Sequence, residues 1–262
     1  MQQPASPSRP PWLEHGDEFP PVEQAWGERD PAPGLLAAGG DLSVTRLQAA
    51  YSQGIFPWYS AGQPILWWSP DPRMVLRLVD FKLHRSLRKA LVTFLATPGC
   101  EIRINHDFSA VIAACANAPR EGQRGTWIVP EMQTAYTDLH HAGHAFTVET
   151  WAKDTLIGGL YGTVVGRAVF GESMFAREAN ASKFALCALV CICLGQGVNF
   201  IDCQQNTAHL ASLGAGEIPR ALFCEQVRQA ALEKQVVWPS KLDAQSVEWK
   251  LLDARLNPFS IP

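Results

Sequence analysis

Phe146-Thr-Val-Glu-Thr-Trp151, Leu156-Ile-Gly-Gly-Leu-Tyr161 and Arg167-Ala-Val-Phe-Gly-Glu172 decide the fold class. Here the period changes from helical to alternating, and the three stretches read as strands. The Val165-Gly166 pair between the second and third marks a turn, so these two read as a hairpin. Downstream, Phe184 to Leu194 is apolar on most sides and predicts a buried helix, capped at Asn180 or Ser182. Val198-Asn-Phe-Ile-Asp-Cys-Gln204 returns to strand, and Pro219 opens a last helix through Leu232.

Upstream the pattern is helical. Ser43 can N-cap a helix carrying Val44, Leu47, Ala50 and Tyr51 and ending at Gly54. An aromatic and proline-rich loop follows, from Phe56 to Arg73. Helices are expected from about Phe81 to Leu95, through Val111-Ile-Ala-Ala-Cys115, and from Pro130 to near Gly143. The first 33 residues hold Pro4, Pro7, Pro10, Pro11, Pro20, Pro21, Pro31 and Pro33 without periodicity and read as an extended, partly disordered arm. The expected organisation is α+β: an arm over 1–33, a small N-terminal domain over 34–72, a larger domain with a central sheet over 73–241, and a tail over 242–262.

The 262 residues are 47% apolar and 18% charged, with net charge −3, an ordinary globular balance. Any contact with nucleic acid must therefore come from a local patch. No apolar run reaches membrane-span length and no secretory pattern opens the chain. The seven cysteines, odd in number, suit free thiols in a reducing cytoplasm. No zinc spacing is present, and no metal is expected.

Asp202 and Gln204, two apart on a strand, should share a face, with Cys203 on the other. That parity argues against a Cys203–His209 nucleophile. The same two residues could also be a polar strand end that satisfies loop backbone. Glu172, at a strand end before Ser173-Met-Phe175, could receive an amine or a guanidinium, or stand as an exposed hairpin charge. Leu160, Phe170, Met174 and Ile201 are spaced to line the sheet beside it, as core or as a shallow apolar pocket.

Trp58, Trp67, Trp68 and Trp127 sit in loops bounded by Pro or Gly, where rings stack on bases or cement a domain junction. Arg73, Arg77, Lys82, Arg85, Arg88 and Lys89 oppose a single acid, Asp80. With Arg120 and Arg124 they form the one obvious basic surface, suited to brief docking of an RNA end or simply a solvated face.

Together these segments resemble the leucyl/phenylalanyl-tRNA–protein transferases. The matching stretches are Gly34-Leu-Leu-Ala-Ala-Gly-Gly-Asp-Leu, Gly54-Ile-Phe-Pro-Trp, Ile65-Leu-Trp-Trp-Ser-Pro-Asp-Pro-Arg, Gly125-Thr-Trp, Gly171-Glu-Ser-Met-Phe, Asn180-Ala-Ser-Lys, Ile201-Asp-Cys-Gln, Ala211-Ser-Leu-Gly-Ala and Glu217-Ile-Pro-Arg. The resemblance implies a larger domain similar to the GNAT acyltransferase fold, a central mixed sheet flanked by helices. It implies transfer of Leu, less readily Phe or Met, from aminoacyl-tRNA to proteins beginning with Arg or Lys, marking them for N-degron proteolysis. By matching positions, Trp58 and Trp127 would hold the terminal adenosine, and Leu160, Phe170, Met174 and Ile201 would shape the aminoacyl pocket. Glu172, Asp202 and Gln204 would serve the reacting amine and ester. Arg73, Arg77, Lys82, Arg85 and Lys89 would meet the tRNA backbone. Leu160 stands where some members carry methionine.

Such a reaction requires no cofactor and no covalent nucleophile, because the donor ester is already activated. The expected mechanism has the Gln204 carbonyl accept a hydrogen bond from the attacking amine. Asp202 orients Gln204 and favours the developing positive charge. A cytoplasmic monomer is expected. Two alternatives are a GNAT-type enzyme using acetyl-CoA, for which no Gly-rich pyrophosphate loop precedes the buried helix, and a noncatalytic RNA-end-binding module.

Overall fold

A computed structural model describes residues 9–118 and 126–242, together with 246 and 249. Arg120, Arg124 and Gly125 therefore lie outside the described residues, as does most of the 242–262 tail. The chain begins with a small sheet. Trp12–Leu13 (β1) pairs in parallel with Leu35–Gly39 (β2); Val44–Ser52 (α1) follows, then Phe56–Pro57 (β3) and Leu66–Trp68 (β4), in the order β1-β2-β4-β3. Ser43 caps α1 as its type predicts, its hydroxyl accepting the Arg46 amide hydrogen.

The described part of the proline-rich stretch is thus structured. β1 joins the sheet, Leu13 and Ala25 are buried, and the Phe19 ring packs edge-on against Trp67 at 4.8 Å. Parallel pairing with a strand more than twenty residues later leaves no local period in the sequence, which is why the segment reads as an arm.

The second unit runs Arg73–Arg77 (β5), Arg85–Ala96 (α2), Cys100–Ile104 (β6), Phe108–Asn117 (α3), Pro130–His141 (α4), Ala145–Ala152 (β7), Thr155–Val165 (β8), Ala168–Ala176 (β9), Ala181–Gly195 (α5), Phe200–Gln204 (β10), Ala208–Ser212 (α6), Gly216–Ile218 (β11), Arg220–Ala231 (α7) and Lys241–Leu242 (β12). Its strands form one sheet in the order β11-β5-β10-β9-β8-β7-β6-β12. Every ladder is antiparallel except β9–β10. The expected α+β class and mixed sheet are both present. Asn180 begins α5 in a left-handed conformation and makes no side-chain cap.

One sheet face carries α2 and α5, packed on Ile104, Val148, Leu160 and Ile201. The other carries α1, α3, α4 and α7, and its core continues into the small sheet through Tyr51, Ile55, Phe56 and Trp67. A single apolar layer therefore joins the two units. Each fully buried Leu or Phe in it contributes roughly 1.5–3 kcal/mol. Cys115, Cys187, Cys191, Cys193 and Cys224 are buried in the core and form no disulfide among the described residues.

Candidate active site

β9 and β10 pair only at Val169–Ile201 and Phe170–Asp202, although β9 continues to Ala176. Beyond that point the two parallel strands fork. A cavity of about 330 Å³ opens there, lined by Gly171 to Met174 from one branch and by Ile201 and Cys203 to Gln205 from the other. Leu76, Leu186 and Leu189 supply more apolar wall; Trp58 and Trp127 stand at its loop side. Leu160, Met174, Ile201, Glu172, Gln204 and the two tryptophans, far apart in sequence, thus face one space.

Each branch carries a one-residue bulge at the fork. On β9, Gly171 pairs with Gly162 and Ser173 with Tyr161, so Glu172 has no partner on β8. On β10, Asp202 pairs with Val75 and Gln204 with Met74, so Cys203 is skipped. A bulge re-aims every side chain beyond it. This overturns two expectations. Phe170 does not line the cavity: it is fully buried on the opposite face with its ring 4.9 Å from Tyr51, because the bulge at Glu172 separates its parity from that of Met174. Asp202 does not share a face with Gln204 either. It is fully buried away from the cavity, while Cys203 and Gln204 both reach it.

Asp202 is held by Arg73. The guanidinium donates from Nε to Oδ1 at 2.8 Å and from Nη2 to Oδ2 at 2.7 Å, and both side chains are wholly shielded from solvent. Arg73 therefore cannot touch an RNA backbone. Read as a basic surface residue, it is the buried partner of a carboxylate. The electrostatic role expected of Asp202 is redirected likewise, since its charge is spent on the guanidinium. Its link to Gln204 is through the backbone: Oδ1 also accepts the Gln204 amide hydrogen at 3.0 Å.

Gln204 has φ of 56°, in the left-handed region, at a cost of order 1–3 kcal/mol for such a residue. Its side-chain Nε2 is buried without a hydrogen-bond partner among the described residues.

Among the described residues, Glu172 meets no cation directly. The Tyr51 hydroxyl lies 2.8 Å from Oε1 and the Tyr136 hydroxyl 3.3 Å from Oε2, and the two hydroxyls also bond each other; this ring of three bonds takes one hydrogen from each phenol and the third from the carboxyl in its protonated form. Burial pushes its carboxyl up to about 8, nearby Asp202 adds to the rise, and the tyrosine bonds and Arg73 oppose it. Burial and the neighbouring Glu172 also raise both phenols well above their ordinary range, so they remain donors. Sequence reasoning assigned Tyr51 only to an apolar helix side and gave Tyr136 no role. The signal available was a hydroxyl on an otherwise buried helix face, which needs a partner.

Cys203 and His209 both line the cavity, so parity no longer separates them. Burial raises the thiol and, with Asp202, keeps it protonated; burial also lowers His209. A thiolate–imidazolium pair is thereby disfavoured on both sides. Arg85, Lys82 and Lys89 are exposed, and Arg77 pairs with Asp80 at 2.6 Å. The Lys82 amide and the His84 ring bond the carbonyls of Leu213 and Ser212, which ties this basic stretch to α6 and its cavity residues His209 and Leu210. Trp67 and Trp68 are structural: their indole N–H groups donate to the Gly39 and Trp58 carbonyls.

Residues 75–228 match the leucyl/phenylalanyl-tRNA protein transferase family, and residues 40–71 match the N-terminal domain of that same family. The chain belongs to the leucyl/phenylalanyl-tRNA–protein transferase family. A leucyl/phenylalanyl-tRNA–protein transferase of Polaromonas is 58% identical over 240 residues, covering 92% of each chain. One from Albidiferax ferrireducens is 58% identical over 228 residues, covering 87% of this chain and 90% of that one. The solved L-PGS from Bacillus licheniformis is a distant likeness at 12% identity and TM-score 0.36, over 77% of this chain and 65% of that one. Both stretches of the transferase family flank the fork: the N-terminal one brings Trp58, the larger one Glu172 and Gln204. Among the described residues, no helix is long and apolar enough to cross a membrane, and no cluster of His, Cys, Asp or Glu could hold a metal ion.

Proposed function

We propose that the chain transfers Leu, less readily Phe or Met, from the 3′ end of its tRNA to the α-amino group of proteins beginning with Arg or Lys, marking them for N-degron proteolysis in the cytoplasm. The observation that carries this reading is the single cavity shared by two indoles, an apolar wall and two polar strand-end groups. Trp58 and Trp127 stack on the terminal adenosine at its loop side. Leu160, Met174, Ile201, Leu186 and Leu189 take the aminoacyl side chain. With no charged group on that wall, polar side chains lose their hydration and are refused, while Leu, Phe and Met differ only modestly.

The ester carbon needs an amine aligned and one proton managed. An α-amine titrates near 7.7–8.0, and the Glu172 carboxyl near 8. Groups of matched proton affinity exchange a proton at little cost, so the fraction of Glu172 that is ionised takes the proton of the incoming ammonium and is left as the neutral acid, freeing the amine to attack. The Gln204 amide faces the reacting centre. Asp202 acts by holding Gln204 rather than by contact. Arg77, Lys82, Arg85 and Lys89 carry the backbone of the acceptor stem past α6. The enzyme works as a monomer.

Incubation with labelled Leu-tRNA or acetyl-CoA, and with a peptide beginning in Arg or in Ala, tests the assignment. Label moving only from the tRNA and only to the Arg peptide is the expected result. Acetyl transfer would favour the alternative acyltransferase chemistry, and tight RNA binding without transfer a noncatalytic module.

A further inference from the structure

Arg73 makes more contacts than pairing with Asp202 requires. Its Nη1 donates to the Gly54 carbonyl at 3.1 Å, and its guanidinium lies between the Phe56 and Phe223 rings, 4.6 and 4.5 Å from their centroids. It thereby fastens the turn after α1, strand β3 and helix α7 to the end of β10. The turn packs closely on α7: Gly54 has φ of 76°, and a Cβ there would lie 2.9 Å from Cys224 Sγ and 3.0 Å from Phe223. At the other end of the clamp, Asp202 Oδ1 divides itself between Arg73 Nε and the amide hydrogen of Gln204. That amide belongs to the residue beyond the bulge whose backbone is left-handed and whose side chain enters the cavity.

We propose that Arg73 is a positioning residue for the transfer: through Asp202 it fixes the left-handed backbone at Gln204 and so aims the Gln204 amide into the cavity. The inference rests on the reading that Gln204 meets the reacting groups. A non-glycine residue does not stay in this region unless its surroundings over-determine it. A bidentate guanidinium wedged between two rings supplies that constraint. A lysine supplies one charge without the planar fork, so it satisfies the carboxylate without fixing its orientation.

The test uses the full chain with Leu-tRNA and an Arg-initiated peptide. It compares Arg73→Lys, Phe223→Leu and Gln204→Ala singly, and the first two each combined with Gln204→Ala. Arg73→Lys is expected to lower kcat by at least about tenfold while KM for the aminoacyl-tRNA stays within about threefold. In the Gln204→Ala background the same change should cost less than about twofold, because aiming an absent side chain has no value. Phe223→Leu leaves every charge in place, opens one face of the clamp, and should show a smaller fall that likewise vanishes in that background. It carries the test should Arg73→Lys not fold. Equal factors in both backgrounds, or an undiminished kcat for Arg73→Lys and Phe223→Leu, would overturn the proposal. If Gln204→Ala itself transfers at the normal rate, the reading of Gln204 falls first and takes the proposal with it. Additive losses beside a slow Gln204→Ala refute Arg73 alone.

Discussion

Two carboxyl groups stand on neighbouring strands at the mouth of the fork, and their surroundings are opposite. Asp202 lies wholly inside the protein, and the Arg73 guanidinium answers both of its oxygens. Glu172, on the cavity side, is met by two phenolic hydroxyls and, among the described residues, by no adjacent cation, and burial moves its carboxyl to about 8. The first is paired through both oxygens and serves as framework. The second is held near its point of titration on the cavity side. A buried charge is tolerable only with a partner, so the paired acid can be hidden. An acid poised to exchange protons has to remain incompletely satisfied.

The largest expected effect breaks the framework side. Asp202→Leu leaves the Arg73 charge buried alone and should cost about 3–5 kcal/mol in urea unfolding. The double change Arg73→Met with Asp202→Leu should recover most of that stability yet not the transfer activity. If the double variant transfers normally, the pair is dispensable and the contrast fails.

On the Glu172 side the stability effect runs with pH. The native carboxyl binds its proton up to about 8, whereas the unfolded one releases it near 4.5. Between those values the folded state holds more protons, so this group's contribution worsens as pH rises and levels off above about 8. Glu172→Gln should therefore gain Tm relative to the unaltered chain at pH 8.5, with the difference shrinking toward pH 5, while transfer to the Arg peptide falls. A constant Tm difference across that range would mean the carboxyl is not held protonated.

Smaller effects sharpen the separation between cavity and framework. Trp127→Ala should raise KM for aminoacyl-tRNA by about tenfold, the worth of one base stack, with little change in Tm. Arg85→Ala should reduce the salt slope of tRNA binding by about one, measured by titration at several ionic strengths. Least of all, Leu160→Met should alter the ratio of Leu to Met transfer by less than about tenfold, read by competition between the two charged tRNAs.

Much of this arrangement is legible in the amino-acid sequence where periodicity is local. Strands β7, β8 and β9, the buried helix α5, the Ser43 cap and the Pro130 start all follow from pattern and residue type. So do Trp58, Trp127, Leu160, Met174, Ile201, Glu172 and Gln204, which the fold gathers around one space. What escaped is what depends on distant pairing or on a break in period. Arg73 reads as a surface cation because its partner lies 129 residues away. Strands β1, β2 and β4 take their order from partners outside their own segments. Phe170 and Asp202 are misassigned by strict alternation, since nothing in either segment announces the inserted residue. Tyr51 and Tyr136 resemble any other ring on a helix.

The fork between β9 and β10 has one more consequence. A strand edge on the outside of a protein is open to any other extended chain, including a second copy of the molecule. Here the edges that lose their partner are interior to an eight-stranded sheet, with neighbours still bonded on their outer sides. The unpaired edges therefore face each other across the cavity inside the sheet, and no second sheet can extend along them as it could along an exposed rim.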